Sequence, residues 1–304
     1  MTQIFYAGTT DSPFILLDLS ILMEDNEMLI FDVGELTALK IPYYFIRCFS
    51  HIDQIRKSNI IMCWFADINM IPFVIMAKLF NKPLITFCGD YELNNHPELN
   101  YGNQRSFIRR TITNWILRNS NAVVVPSPPF KNIVKEIEPK TRQIFMIPWC
   151  IEIDNENIIK ENMVSTSIFS KTTFVRKGIP TFEAATKNLQ IKSKIMIRVP
   201  REEYLETLKK SKVYCQLTKP ECESFSVSLL EAMSYGCVPV ITNCKAMEWV
   251  CGETGVVVPY GNVEATRAAI VKAMNMNGNK AKERASLFTR EKRKSALLNL
   301  IGTF

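Results

Sequence analysis

Glu223-Ser-Phe-Ser-Val-Ser-Leu-Leu-Glu231, followed by Ala232-Met-Ser-Tyr-Gly236 and Cys237-Val-Pro-Val-Ile-Thr242, is the stretch on which the reading of this chain turns. It sets a loop carboxylate before a helix of about three turns, stops the helix at a glycine and resumes in a buried strand. Phe225, Leu229, Leu230 and Met233 share an apolar side, which pins the helix against a sheet. Glu223 stands at or just before the helix N-terminus, and Glu231 lies in an early turn. The free amides and the positive dipole end of such a helix favour an anion, so a phosphate fits there between two carboxylates that reach hydroxyl groups. That is a layout for holding a nucleotide sugar. The same residues admit a purely structural reading, in which Ser228 caps the helix and Glu231 completes a Ser-x-x-Glu capping box.

Outward from this stretch, 304 residues with 47% apolar composition suit two domains with real cores. The opening Met1-Thr-Gln-Ile-Phe-Tyr-Ala-Gly8 reads as a first strand and its turn rather than a secretory leader. Apolar runs such as Met70 to Ala77 fall far short of the ~18 residues of a membrane span. Nine cysteines stand singly, with no Cys-x-x-Cys pair, as expected of buried reduced thiols in a cytoplasmic protein. His51 and His96 have no partners at motif spacing, which sets aside a zinc site and a Ser-His-Asp hydrolase.

In the first half, apolar segments of strand length run from Gln3 to Ala7, Met28 to Asp32, Asn59 to Trp64, Pro83 to Cys88, Ala122 to Val125 and Gln143 to Ile147. Helical patterns over Phe14 to Met23, Asn69 to Phe80 and Gln104 to Asn119 separate several of them, which predicts a parallel Rossmann-type sheet. Ligands of such sheets bind beyond the carboxyl ends of the strands, so two loops become candidates. Gly8 opens the turn after the first strand. Cys88-Gly89-Asp90-Tyr91-Glu92 opens an unusually polar loop of about fifteen residues, a length that marks function or disorder. The helix over 105–118 carries four arginines, no acid, and an apolar side of Phe107, Ile108, Ile112, Trp115 and Ile116. Such a helix either packs on the sheet or lies on an anionic membrane surface.

The polar segment Asp154 to Asn162 reads as a domain linker. A strand from Val164 to Ser170 then leads into Lys171-Thr-Thr-Phe-Val-Arg-Lys177-Gly178, a basic turn at the head of a helix. Strands Lys194 to Val199 and Val213 to Leu217 flank a helix from Pro200 to Leu208, and the loop Thr218 to Glu223 delivers the first glutamate. Between Met276 and Lys294, seven Lys or Arg face only Glu283 and Glu291, so the tail reads as a basic helix that could attract phosphate groups.

The Glu-x7-Glu spacing of Glu223 and Glu231, the following Ala-Met-x-x-Gly and the Val-Pro-Val strand resemble the signature of retaining glycosyltransferases of family 4, which have the GT-B fold. Lys171 with Lys177-Gly178 resembles the family's basic pair at the donor diphosphate, although a lysine stands at 171 where relatives have an arginine. Glu248 through Gly252-Glu-Thr-Gly-Val-Val-Val-Pro259 to Asn262 resembles the family's "GETGxLVPxGD" ending. Asn121 to Ser127 and Ile147 to Glu152 resemble "ADxVIxxS" and "IPNGID", with Trp149-Cys150 in place of Asn-Gly. The match is strong from about Phe174 to Asn262 and weak before Pro83. It implies an α/β fold of two Rossmann-like domains with parallel sheets facing across a cleft. The C-terminal domain is expected to be shortened by about one strand and one helix.

The implied domains are 1–152 on the acceptor side, 153–275 for the nucleotide-sugar donor, and a basic helix over 276–304 returning toward the first domain. The implied activity is transfer of a hexosyl unit from a nucleoside diphosphate sugar to an acceptor hydroxyl with retention, without a metal or other cofactor. Glu223, Lys171 and Lys177 carry the catalytic roles. Glu231, Phe225, Ser226, Val227 and Arg176 bind the donor, with the backbone at 225–227 against sugar and diphosphate. Gly8, Gly89, Asp90, Tyr91 and Glu92 form the sugar or acceptor loop. Cys88 replaces the histidine with which relatives contact the transferring sugar. The acceptor is left open among glycan, lipid and protein-linked hydroxyls, with peripheral membrane contact through 105–118 and nucleic acid as the least favoured partner. The alternative is a non-catalytic nucleotide-sugar or polyanion binding protein with the same fold.

Overall fold

The computed structural model describes residues 1–34, 41–152 and 159–304. The chain forms two compact units, Met1–Pro148 with Arg290–Phe304, and Trp149–Thr289. The second unit thus begins at Trp149 rather than at 153. Of the expected linker, residues 154–158 lie outside the described residues, and its last two are already in a strand.

In the first unit the order is β1 (Thr2–Gly8), α1 (Pro13–Leu22), β2 (Asn26–Asp32), α2 (Ile41–Ser50), α3 (Ile52–Lys57), β3 (Ile60–Trp64), α4 (Ile71–Leu79), β4 (Leu84–Phe87), α5 (Phe107–Asn119), β5 (Ala122–Val125), α6 (Pro128–Ile137) and β6 (Ile144–Met146). The strands pair in the order β2-β1-β3-β4-β5-β6, all parallel. Strands β1, β3, β4 and β5 are apolar runs buried on both faces, as a helix-covered parallel sheet requires. Phe5, Phe31 and Phe73 pack ring to ring at 5.1–6.5 Å in this core.

The second unit runs β7 (Glu161–Ile168), α7 (Ile179–Thr186), β8 (Lys192–Ile197), α8 (Arg201–Lys210), β9 (Ser211–Gln216), α9 (Val227–Ser234), β10 (Val238–Thr242), α10 (Lys245–Cys251), β11 (Val256–Val258), α11 (Val263–Met274) and α12 (Asn279–Ala285). Its five parallel strands pair in the order β11-β10-β9-β7-β8. Val164, Phe182, Val213, Cys215, Val240 and Ile270 are central to its core.

The basic tail is two helices rather than one. Helix α12 stays with the second unit, while α13 (Arg290–Ile301) belongs to the first. Helices α2, α3 and α6 were not foreseen from the pattern. All nine cysteines are buried free thiols. Among the described residues, no helix is long and apolar enough to cross a membrane.

Strand order locates the crevices. After β7 the chain adds β8 on one side, then crosses to put β9 on the other, so the loops following β7 and β9 leave the sheet in opposite directions. The same reversal occurs between β1 and β3 in the first sheet. A ligand crevice opens beyond the carboxyl ends of strands at each such switch point.

Candidate active site

In the second unit the loops after β7 and β9 are held together by their backbones. Gly178 has φ +66°, and a Cβ there would lie 2.2 Å from the Leu217 carbonyl oxygen, so only glycine fits at the head of α7. The Lys219 amide donates to the Arg176 carbonyl at 2.8 Å, and Arg176 Nη1 donates to the Cys222 carbonyl at 2.9 Å. This pairing brings Lys177 onto Glu223. Lys177 Nζ donates to Glu223 Oε2, which also accepts from Gln216 Nε2 at 3.3 Å. The pair is mostly buried, with side chains 20% and 14% exposed. Within the loop, Glu221 occupies left-handed backbone at φ +68°, a strained position for a residue with a Cβ.

Helix α9 starts directly after this loop. Ser226 is its cap, accepting from the Leu229 amide at 3.3 Å, and Val227 is its first residue, so the amides of 226–228 have no carbonyl partner within the helix and follow Glu223 by three to five residues. Ser228 is inside the helix and Glu231 makes no capping box. Instead Glu231 Oε1 accepts from Arg201, and Oε2 accepts from the buried Tyr204 hydroxyl at 3.0 Å. Burial pushes the Tyr204 phenol well above its ordinary range, so it remains a donor. The Phe225 side chain is 1% exposed and packs against Phe288 at 5.5 Å and Trp249 at 6.1 Å. Its ring is therefore core, and only its backbone is open to the role expected of it.

Lys171 is exposed in a single 3-10 turn, Lys171–Thr173, capped by Ser170. Among the described residues it makes no ion pair, so the structure unites Lys177 with Glu223 but not Lys171 with either. Arg176 spends a guanidinium nitrogen on a carbonyl. Sequence reasoning missed Gln216, Arg201 and Tyr204. Gln216 is the last residue of a buried strand, and Arg201 meets Glu231 across 30 residues of chain, so no local spacing announced either. No group of three or more His, Cys, Asp or Glu among the described residues is placed to hold a metal ion.

In the first unit, Gly8 ends β1 with no room for a Cβ, which would meet the Tyr6 hydroxyl at 2.6 Å and Trp64 Cβ at 2.8 Å. Gly89 follows Cys88 and lets the Phe65 ring close to 3.0 Å of where its Cβ would stand. The Gly89 amide donates to Glu92 Oε1 at 2.7 Å. Glu92 is 2% exposed, and burial pushes its carboxyl up to about 8. Cys88, at the histidine's place, is a buried thiol raised well above its ordinary value by burial and by Glu92. Phe65, Asp67, Asn69, Asp90, Tyr91 and Glu92 line a pocket of about 140 Å³.

The arginine-rich helix departs from its expected packing at its start. Arg105 precedes it in a 3-10 turn, and Phe107 and Ile108 are 74% and 67% exposed, while Ile116 and Leu117 carry the buried face. Arg118 pairs with Glu138 at 2.7 Å. Much of the tail's charge is engaged internally. Arg284 donates to the Val250 and Trp249 carbonyls, Arg290 and Lys294 pair with Glu24, and Arg293 pairs with Asp18.

Residues 181–293 match the family model described as glycosyl transferases group 1. No curated protein matches the sequence. Among solved structures, sucrose-phosphate synthase from Thermosynechococcus elongatus superposes with a TM-score of 0.78 at 13% identity, over 100% of this chain and 99% of that one. Anabaena HepE in complex with UDP and glucose gives 0.77 at 10% identity, over the whole of both chains. The pneumococcal O-GlcNAc transferase GtfA, bound to UDP and GlcNAc, gives 0.63 at 12% identity over 85% of this chain and 59% of its own. The two parallel α/β units are those of the GT-B fold, and within the second of them and the start of the last helix residues 181–293 are similar to the glycosyl transferases group 1 model.

Proposed function

We propose that this protein is a retaining glycosyltransferase that moves a hexosyl unit from a nucleoside diphosphate sugar to an acceptor hydroxyl. The observation that carries the reading is the Lys177–Glu223 pair, set at the switch point of the second sheet with Glu223 three residues ahead of the α9 cap. UDP, seen with HepE and GtfA, is the first nucleotide to consider.

In this reading the donor diphosphate sits on the α9 amides, with Lys177 and Lys171 offsetting charge as the anomeric carbon–oxygen bond breaks. Glu223 faces the sugar, and ribose hydroxyls take over Glu231 contacts now made by Arg201. The acceptor oxygen bonds to the anomeric carbon on the face the phosphate leaves. Its proton passes to the departing phosphate oxygen, so retention needs no enzymatic nucleophile and no metal. The exposed Phe107 and Ile108, beside Arg105 and Arg110, support peripheral contact with the cytoplasmic face of an anionic membrane. Internal pairing of the tail cations weighs against nucleic acid. One observation favours the non-catalytic alternative: Cys88, which stands where the family it resembles carries a sugar-contacting histidine, is buried.

The test is a thermal-shift series with UDP, GDP, ADP and their sugar conjugates. A ligand at 100 times its Kd adds about 2.7 kcal/mol of stability. The expected result is a shift with one nucleotide, lost in Lys177→Ala and in Glu231→Ala. Turnover of the matching sugar conjugate, with product configuration read by NMR in the presence of EDTA, separates enzyme from binding protein. No shift with any nucleotide in a folded sample sinks the reading.

A further inference from the structure

The central strand of the second sheet has two unlike faces. Side chains alternate along β9 and just past its end, as extended backbone requires. Val213, Cys215 and Leu217 belong to the apolar core that also takes Phe182 of α7 and Ile270 of α11. Tyr214, Gln216 and Thr218 fall on the opposite side, and each is at most 2% exposed. Three apolar residues would pack there without desolvating any polar group, so a buried polar row in the middle of a sheet is a costly choice.

The row is one hydrogen-bonded chain. The Tyr214 hydroxyl and Ser167 Oγ are 2.6 Å apart, and the Ser228 side chain of α9 also bonds Tyr214, which fixes this face as the one under α9. Tyr214 donates to Gln216 Oε1 at 3.4 Å. Gln216 Nε2 donates to Thr218 Oγ1 at 2.9 Å and to Glu223 Oε2 at 3.3 Å. The chain therefore ends on the carboxylate that carries the proposed function. Its members are satisfied by one another, and such a network rigidifies what it holds.

Glu223 Oε2 has two donors of different kinds. Lys177 brings a charge on a flexible four-carbon stem, whereas Gln216 brings an uncharged amide from a strand paired on both sides, with β7 and with β10. A diphosphate at the head of α9 attracts the ammonium group of Lys177 but not an amide. We propose that Gln216 is a positioning residue, which keeps Glu223 aimed at the donor sugar while Lys177 turns to the diphosphate. The Tyr214 hydroxyl, by donating to Oε1, sets the amide so that its N–H side meets the carboxylate. The proposal rests on the transferase reading of Glu223 and Lys177 and adds a residue that acts through Glu223 rather than on the substrate. Its consequence is a split: the sugar feels Gln216 and the nucleotide does not.

Calorimetric titrations of the full chain test this with UDP, GDP and ADP, and with UDP-glucose, UDP-N-acetylglucosamine, GDP-mannose and ADP-glucose. Gln216→Met is nearly isosteric and removes the N–H. It should leave the Kd of the nucleotide that binds unchanged and weaken its sugar conjugate about tenfold, the size of a lost hydrogen bond to a charged group. Gln216→Glu sets a like charge against Glu223, so it should weaken the conjugate further at pH 8 and again spare the nucleotide. A residue that only supports the fold would lower both affinities together. Equal losses for nucleotide and conjugate, or no loss for either, overturn the proposal and leave the transferase reading standing. If the wild-type chain binds neither nucleotide nor conjugate, the transferase reading fails and the proposal falls with it. Should Gln216→Glu not fold, Gln216→Met decides the matter alone.

Discussion

Glu92 is the residue whose behaviour departs most from its sequence neighbours. Read in the chain it is one more polar group of an acidic loop, but the fold buries it against Gly89 and moves its carboxyl from an ordinary 4.5 to about 8. Between those values the unfolded chain carries the charge while the folded one holds the proton. Its contribution to stability is therefore complete below about pH 4.5 and fades as pH rises to about 8, by an amount on the order of a few kcal/mol. Glu92→Gln keeps the oxygen that accepts from Gly89 and removes the titration. Calorimetric melts of this variant should be less pH-dependent than wild type between 5 and 8 and higher at pH 8; identical profiles would show that Glu92 is not held neutral. Environment decides such a case, so spacing could not reveal it. The Lys177–Glu223 pair was half legible: each residue was identifiable from its own motif, whereas their contact depends on Gly178 pressing against Leu217.

Helix α9 was readable as an element because its signals are local. A serine precedes it, leucines and a methionine recur on one side, and Gly236 follows it with φ +76°. The cap fell on Ser226 rather than Ser228, two residues earlier, because Arg201 and Tyr204 engage Glu231 and leave no capping box. Ser226→Ala should cost about 1 kcal/mol in urea unfolding. Gly178→Ala should cost clearly more, since its backbone is left-handed and its neighbour is a carbonyl oxygen at 2.2 Å. If Gly178→Ala proves as mild as the cap variant, the tight junction of α7 with the β9 loop is not real. Helices α2 and α3 stayed hidden for the opposite reason. Tyr43, Ile46 and Phe49 of α2 are exposed, so its aromatic run Ile41-Pro-Tyr-Tyr-Phe-Ile gives no clean inside and outside.

At the scale of the molecule, the alternation of strands and helices made two parallel sheets legible. The resemblance also implies a tail that returns toward the first unit, but the residues that fasten it there were not legible. Arg293 is 3% exposed and meets Asp18 two-pronged, with Nη2 to Oδ2 at 2.5 Å, while Nη1 reaches the Ile147 carbonyl at 3.0 Å. The last helix is thus fastened to α1 and to the end of β6 by one guanidinium. Removing one partner of a buried pair typically costs about 3–5 kcal/mol, whereas exposed pairs such as those of Glu24 contribute little. Arg293→Met should accordingly lower the melting of the first unit strongly, and Glu24→Gln hardly at all. Equal effects would mean that Arg293 is a surface tether rather than a buried one.

That fastening has a consequence on the ribosome. Asp18 and Arg293 are 275 residues apart. At translation speeds of about 5–20 residues per second, the aspartate emerges roughly 14–55 s before the arginine that neutralises it. Throughout that interval α1 stands without the helix that covers Asp18 and carries its counterion, while the second unit, made entirely in between, has every residue it needs. The part of the protein that is synthesised first is therefore the part that matures last, and chaperones would meet it in its unfinished form.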